Sequence, residues 1–207
     1  MIKTEQYLAA PCSTSSIPLW KTRQMTIPEG MRILHNEEFD PEILDDYVDE
    51  PYFRLLHRLD DLQKPTVPEG FVLSKATFRE TAAHISLCYG MDITEQEIHS
   101  YTDRPVYHPE LWVVLRDTRS GEIAASGIAE FDYEIGEGVL EWIQVSPKYR
   151  GRGLGKSIVL TLLTRMKGIA RFASVSGQCR NPTNPEALYR SCGFTGNDIW
   201  HILRRNT

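Results

Sequence analysis

The sequence contains no apolar run of about 18 residues, which is the length that a membrane-spanning helix needs. Its first residues lack the apolar centre of a signal peptide. Its four cysteines form no C-x-x-C pair, and no cluster of histidines shares a metal-ligand spacing with them. We therefore expect a cytoplasmic protein with reduced thiols, without a membrane partner and without a bound metal.

The chain also has no excess of basic residues. Its 23 Lys and Arg residues against 28 Asp and Glu residues give a net charge of −5, which argues against a nucleic-acid partner. Eight acids fall between Glu37 and Glu50 without one Lys or Arg. This segment is either a solvated face or an acidic rim that attracts a cationic acceptor. The composition, 41% hydrophobic and 25% charged, is typical of a globular protein with a core.

The stretch at 139–155, which spells VLEWIQVSPKYRGRGLG, predicts a strand followed by a glycine loop. Val139–Val145 is apolar and rich in β-prone residues, and Ser146-Pro147 ends it. After the loop, residues 156–167 place apolar side chains at the spacing of one helix face. Gly168 ends this helix. The order is therefore strand, glycine loop, helix.

This arrangement favours the binding of an anion. The first turn of a helix leaves about four backbone N–H groups without intrahelical partners, and the peptide dipoles place roughly half a positive charge there. Glycines remove the side chains that would keep a phosphate away from those N–H groups. The loop supplies three glycines and three cations, which are Gly151, Gly153, Gly155, Arg150, Arg152 and Lys156. A pyrophosphate is the ligand that fits this pattern.

Three nucleotide-type motifs are candidates for the loop. A Walker loop needs four residues between its first glycine and Gly-Lys-Ser, and this sequence has three. A dinucleotide fingerprint needs G-x-G-x-x-G, whereas the loop has G-x-G-x-G. The pattern R-x-x-G-x-G is met by Arg150, Gly153 and Gly155, and it resembles the coenzyme A pyrophosphate loop of the GNAT acyltransferase family. The alternative without a ligand is a tight turn with solvated arginines.

A second motif follows about 30 residues later. Residues 184–194 predict a short helix with Asn184 as its cap, Pro185 at its first position and Gly193 past its end. Within it, ALYRSCGF resembles the tyrosine-bearing helix of the same family, which ends in Gly-Phe. The resemblance covers roughly residues 71–207.

The resemblance implies an α/β fold of the GNAT type. Its central sheet is mixed and mostly antiparallel, contains a splayed strand pair and is flanked by helices on both faces. We expect a GNAT acetyltransferase domain at 66–207 and an N-terminal extension at 1–65, which covers the site, adds to the sheet or mediates dimerisation. Hydrophobic periodicity and the positions of turn and capping residues predict strands at 31–35, 71–74, 111–116, 122–133 and 171–178, and helices at 42–61, 77–89 and 94–101. Pro51 interrupts or divides the helix at 42–61.

The resemblance also implies roles for single residues. Glu141 matches a carboxylate that acts as general base through a water, although a plain strand-edge carboxylate is the alternative. A bulge in its strand would admit the pantetheine arm to the backbone of Ile143, Gln144 and Val145. Tyr189 matches the acid that protonates the departing sulfur, with a core tyrosine as the alternative. Further cofactor-binding residues are Arg150, Gly151, Arg152, Gly153, Leu154, Gly155, Lys156 and Asn184, with Asn181 as the alternative to Asn184.

The implied activity is N-acetyl transfer from acetyl-CoA to a primary amine of a small molecule or peptide, by direct transfer in a ternary complex. The protein would act as a monomer or homodimer. Two alternatives remain, a non-catalytic acyl-CoA-binding module and an acyltransferase with a longer acyl donor or an oxygen acceptor. We expect His84, His99, His108 and His201 to be surface or packing residues, and we expect no acyl-cysteine intermediate.

Overall fold

A computed structural model describes residues 2–206 of the chain. These residues divide into two units. The first unit contains the described residues up to His57, Ser174–Arg190 and the described residues from Phe194 onward. The second unit contains Arg58–Ala173 and Ser191–Gly193. The outermost residues of the two predicted domains, Met1 and Thr207, lie outside the described residues, and the predicted boundary between those domains stays a prediction.

The described residues contain eight strands: β1 (Met31–His35), β2 (Tyr47–His57), β3 (Phe71–Ser74), β4 (Trp112–Asp117), β5 (Ile123–Asp132), β6 (Glu137–Val145), β7 (Phe172–Gln178) and β8 (Thr195–Arg205). They form a mixed sheet in the order β1-β8-β2-β7-β6-β5-β4-β3. The sheet is mostly antiparallel and includes a parallel pair. The predicted mixed α/β fold is confirmed, and the splayed strand pair stays a prediction.

The helices are α1 (Thr4–Ala9), α2 (Pro11–Thr14), α3 (Leu19–Thr22), α4 (Phe78–Tyr89), α5 (Glu95–Ser100), α6 (Leu154–Met166) and α7 (Pro185–Ser191). Short 3₁₀ helices lie at Pro41–Asp45, Tyr101–Asp103, Pro109–Leu111 and Pro147–Tyr149. Within residues 2–206, none of the helices has the length and apolarity needed to span a bilayer.

In the first unit, two strands from the predicted N-terminal extension pair with the last strand of the chain. β1 runs antiparallel to β8, and Met31 lies opposite Arg204. β2 also runs antiparallel to β8, and Tyr47 lies opposite Arg205. Of the three roles left open for residues 1–65, these strands show that the segment adds to the sheet.

The helix predicted at 42–61 is wrong. Asp40 does cap a helix start, because its Oδ1 accepts the Glu42 N–H at 3.0 Å, but only the 3₁₀ helix Pro41–Asp45 follows. Residues from Tyr47 onward form β2 instead. Pro51 lies opposite His201 in the pairing with β8, and its carbonyl accepts the Cys179 N–H at 2.8 Å. Tertiary pairing with a distant strand therefore overrides the helix-like spacing of the apolar residues.

In the second unit, the strands β3 to β6 pair antiparallel in chain order. The two helices between β3 and β4 start at capping boxes. At α5, the Glu97 N–H donates to Thr94 Oγ1 at 3.2 Å, and the Thr94 N–H donates to Glu97 Oε2 at 2.7 Å. This confirms the predicted start of that helix, since both orphan donors are satisfied reciprocally.

Helices cover both faces of the sheet in the second unit. Gly127 of β5 faces α6, and a Cβ at this glycine would overlap Ile158. The next residue, Ile128, packs with Ala82 and Ile85 of α4. Because successive residues of a strand point to opposite faces, α4 and α6 lie on opposite sides of β5.

Candidate active site

A bulge in β6 sets the position of Glu141. Ile128 of β5 pairs with Trp142, whereas the next residue, Ala129, pairs with Leu140. Glu141 is therefore the extra residue of β6, and a bulge of this kind re-aims the side chains around it. The Glu141 residue is half-buried. The bulge that the resemblance implies is confirmed, and the role of Glu141 as general base stays a prediction.

The end of β6 carries the backbone groups expected to bind the pantetheine arm. Two carbonyl oxygens here accept side-chain hydrogen bonds, Ile143 O from the Tyr89 hydroxyl and Val145 O from Arg150 Nε, each at 3.3 Å. Between them, the Gln144 side chain points into the protein and is buried. Binding of pantetheine at these three residues stays a prediction.

The glycine loop is a turn with two left-handed residues. Gly151 has φ 76° and Gly153 has φ 77°, a region in which other residues are strained. A Cβ at Gly151 would meet no atom within 4 Å, so this glycine serves the backbone conformation and leaves open space beside it. After Gly153, α6 begins at Leu154, two residues earlier than predicted, and no side chain caps it. The first amides of α6 therefore have no intrahelical acceptor.

Three cations surround this turn. Arg150 and Arg152 are exposed, and Lys156 is half-buried. None of the three forms an ion pair within residues 2–206, whereas the neighbouring Lys148 is paired with Glu122. Orphan amides together with uncompensated positive charge are the chemistry that holds a diphosphate. The residues present therefore fit the diphosphate of coenzyme A.

The side chain of Leu154 explains why α6 starts at this point. Leu154 is only 1% exposed, so its burial fixes the first turn of the helix against the core. Gly155 follows within the helix and is half-buried. The amides of these two residues thus lie in a fixed turn.

Tyr189 belongs to α7 in the first unit. It is 6% exposed. Its ring centroid lies 6.1 Å from that of Phe53 and 5.8 Å from that of Phe194. These contacts are those of a tyrosine that packs a short helix into a core, and the acid role of Tyr189 stays a prediction.

Asn184 and Asn181 lie in the segment before α7. Asn184 has φ 48°, and its Oδ1 accepts the Ala187 N–H at 3.4 Å, so the predicted cap of α7 is confirmed. The side chain of Asn181 accepts from Thr183, at 2.9 Å from N–H and 2.7 Å from Oγ1. A contact of either asparagine with a cofactor stays a prediction.

His84 of α4 is a buried packing residue with a fixed proton. Ser146 Oγ donates to Ile123 O at 2.9 Å, so it accepts from His84 Nε2–H at 2.9 Å. The other ring nitrogen, Nδ1, accepts from Ser126 Oγ at 2.8 Å, and Ser126 Oγ in turn accepts from Gln144 Nε2 at 2.5 Å. Desolvation lowers the pKa of His84 to about 4. The imidazole is therefore neutral, and it ties α4 to β5 and to the end of β6.

Aromatic residues beside the bulge were not anticipated from the sequence. Tyr89 ends α4, and its ring meets the edge of Trp142 with 5.2 Å between centroids. Trp142 Nε1 donates to the Tyr101 hydroxyl at 2.9 Å. Nothing local in the sequence indicates that Tyr89 reaches β6.

An open pocket of about 680 Å³ lies beside His84, between α4, the turn after β4 and the residues that follow β6. Its rim carries two ion pairs, Glu80 with Arg116 and Glu122 with Lys148. Its lining includes neither the bulge residue nor the glycine turn. We therefore place neither acetyl transfer nor the diphosphate in this pocket.

The cysteines of the second unit are poor nucleophiles. Desolvation is the largest cause that raises the pKa of both Cys88 and Cys192, so their thiols stay protonated at neutral pH. Cys88, Cys179 and Cys192 form no disulfide within the described part of the chain. The same residues hold no cluster of three or more His, Cys, Asp and Glu that could bind a metal ion.

Comparisons with solved structures show the fold. A GCN5-related N-acetyltransferase from Sphaerobacter thermophilus has a TM-score of 0.69 at 19% identity, covering 90% of this chain and 63% of that one. An acetyltransferase of the GNAT family from Colwellia psychrerythraea has a TM-score of 0.56 at 16% identity, covering 83% of this chain and 64% of that one. The chain therefore spans less than two thirds of the length of both proteins. A comparison with curated proteins finds no match.

A family model matches the part of the chain that carries most of the candidate site. The model for the acetyltransferase (GNAT) domain matches residues 108–196. This range contains the bulge at Glu141, the glycine turn and Tyr189. Residues 108–196 therefore match a GNAT acetyltransferase domain.

Proposed function

We propose that the chain transfers an acetyl group from acetyl-CoA to a primary amine by direct transfer in a ternary complex. One observation carries the proposal, the turn at Gly151–Gly153, where orphan amides of α6 meet three cations without ion-pair partners. Acetyl-CoA supplies the thioester, and the chain supplies binding, orientation and proton transfer. The acceptor is an amine of a small molecule or peptide, and the enzyme is a cytoplasmic monomer or homodimer.

Thermal stabilisation tests the cofactor class directly. A ligand that binds only the folded state raises the melting temperature, and at equal concentration a tighter ligand raises it more. We expect acetyl-CoA and coenzyme A to stabilise the protein, and we expect NAD and ATP at the same concentration to do so much less. Stabilisation by NAD or ATP alone would contradict the proposal.

Proton removal from the acceptor is the first task of the site. An alkyl ammonium has a pKa of about 10.4, so at neutral pH nearly all of it is protonated and cannot attack a carbonyl. Glu141, re-aimed by the bulge, is proposed to take this proton through a water. A backbone N–H of the strand after the bulge is proposed to stabilise the negative charge that develops on the carbonyl oxygen.

Glu141→Gln is expected to lower kcat/KM most at low pH and least as the pH approaches the pKa of the acceptor amine. The carboxylate matters where deprotonation is hardest, because the amine deprotonates by itself at high pH. Initial rates of thiol release between pH 6 and 9.5 measure this profile. Glu95→Gln, an exposed residue on α5, is the matched control. An equal loss at every pH would contradict the base role.

Tyr189→Phe is expected to lower kcat about 100-fold and to leave the Kd for acetyl-CoA nearly unchanged, since general acid catalysis contributes about this much. Steady-state kinetics and calorimetric binding measure the two quantities. Tyr47→Phe on β2 of the same unit is the control, because the contact of its ring with the Arg32 guanidinium survives the change. Unchanged turnover would remove Tyr189 as the acid.

A second candidate function is a module that binds acyl-CoA without catalysis. It is favoured by the burial of Tyr189 between Phe53 and Phe194. Thiol release across a panel of amines and alcohols, with acetyl-CoA and longer acyl donors, separates the two candidates. Binding of acetyl-CoA without release for any acceptor would favour the module.

A further inference from the structure

Tyr89 ends α4 and lies against the part of β6 that follows the bulge. Gly90, with φ 66°, ends the helix directly after it. The hydroxyl of Tyr89 donates to Ile143 O at 3.3 Å, and its ring lies edge-on to Trp142. Trp142 is the residue directly after Glu141. The Tyr89 side chain therefore reaches from α4 to the strand segment beside the predicted base.

Trp142, which lies against the Tyr89 ring, is held in place by its own contacts. Trp142 Nε1 donates to the Tyr101 hydroxyl at 2.9 Å. The Arg104 guanidinium lies 3.3 Å from the centroid of the Tyr101 ring and forms an ion pair of 2.5 Å with the buried Glu130. Tyr89 itself is 46% exposed. The Tyr89 side chain can therefore rotate while Trp142 stays in place.

The hydroxyl of Tyr89 keeps its proton over the pH range in which an amine is acetylated. Desolvation, with a smaller contribution from the charge of Cys88, raises the pKa of Tyr89 to about 12. The phenol therefore stays protonated at the pH of the reaction and can donate a hydrogen bond.

Ile143 O is one of the backbone groups that the proposed function assigns to the pantetheine arm. We propose that Tyr89 is a gate of the cofactor site: its hydroxyl gives up Ile143 O when the pantetheine arm binds to β6, and it then donates its hydrogen bond to the reacting thioester. No covalent bond to Tyr89 forms or breaks. The inference rests on the proposed function, because it needs the pantetheine arm on β6.

Tyr89→Phe removes the hydroxyl and keeps the ring against Trp142. The Kd for coenzyme A, which has the pantetheine arm but no thioester, is expected to fall about two- to tenfold, because no hydrogen bond to Ile143 O has to be broken. The kcat is expected to fall at least about tenfold, because a donor to the thioester is lost. Calorimetric titration and initial rates measure both. If Tyr89 has only a structural role, Tyr89→Phe should lower the melting temperature and raise the Kd.

Tyr133→Phe is the matched control. Tyr133 is exposed, and its hydroxyl also donates to a backbone carbonyl, Tyr107 O at 3.4 Å. We expect its Kd and kcat to equal those of the original protein. For Tyr89→Phe, an unchanged or higher Kd for coenzyme A would show that Tyr89 is not a gate. An unchanged kcat would show that its hydroxyl does not donate to the thioester. If the original protein does not bind acetyl-CoA, the proposed function fails, and the gate fails with it.

Discussion

Replacing Gly153 by valine is expected to weaken acetyl-CoA binding at least about 30-fold. Gly153 has φ 77° at the start of α6. A β-branched residue in this region costs about 2 kcal/mol or more. The turn relieves this strain by reorienting, and the first amides of α6 then no longer point to one anion. A loss of 2 kcal/mol corresponds to about 30-fold in Kd, which calorimetric titration with acetyl-CoA measures.

Gly168→Val separates this effect from strain in general. Gly168 follows the other end of α6, has φ 92° and has no atom within 4 Å of the position that a Cβ would take. Its replacement imposes similar strain away from the glycine turn. We expect comparable losses of melting temperature in the two variants and an unchanged Kd in Gly168→Val. Equal losses of affinity in both would show that the amides at Gly153 have no special role.

A second large effect is expected in the pH dependence of stability, and His84 is its source. Desolvation lowers the pKa of this 5%-exposed imidazole from 6.5 to about 4. Between pH 6.5 and 4, the imidazole is therefore protonated in the unfolded chain and neutral in the folded chain. The free energy of unfolding keeps its full value above pH 6.5 and falls as the pH approaches 4. The difference of about 2.5 in pKa corresponds to a loss of about 3 kcal/mol.

Denaturant unfolding at intervals between pH 7.5 and 4 measures this loss. His84→Asn is expected to be less stable at pH 7.5, because the hydroxyls of Ser126 and Ser146 lose their partner. The original protein loses about 3 kcal/mol between pH 7.5 and pH 4, and the variant lacks the imidazole that causes this loss. The gap in unfolding free energy between the two proteins should therefore shrink by about 3 kcal/mol over this range. His99→Asn on the exposed side of α5 gives the reference curve for the loss of a surface imidazole. A difference that stays constant with pH would contradict a neutral, buried His84.

Elements with local signals were predicted closely. The strand β3 has the predicted bounds, Phe71–Ser74, and β1 has the predicted bounds, Met31–His35. The capping box of Thr94 and Glu97 starts α5 as expected. Capping and turn residues act through neighbours in the sequence, so the sequence alone is enough to locate them.

The segment after Asp40 shows where local signals fail. Its acids and apolar residues have helix-like spacing, yet Tyr47–His57 forms β2. The strand that stabilises β2 is β8, about 150 residues later in the chain, as in the pairing of Tyr52 with Trp200. Nothing within the segment encodes that partner. The interruption at Pro51 was the one local sign against a continuous helix.

The sequence predicted the backbone features of the candidate site, but it predicted few of the contacts between its side chains. Glycine spacing and the family resemblance located the turn at Gly151 and Gly153 and the bulge at Glu141. The roles of His84 and Tyr89 depend on partners far away in sequence, since His84 bonds to residues 42 and 62 positions later, and Tyr89 bonds to one 54 positions later. A histidine or tyrosine on a helix gives no sign of such contacts until the helix is packed on the sheet.

Amide resonances of the glycine turn offer the most direct test of diphosphate binding at the start of α6. In a ¹⁵N–¹H titration with acetyl-CoA, the largest shifts are predicted at the N–H groups of residues 151–156, and ADP should reproduce them because it carries the same diphosphate. Shifts of those amides that stay within noise while signals elsewhere in the chain move would contradict diphosphate binding at this turn.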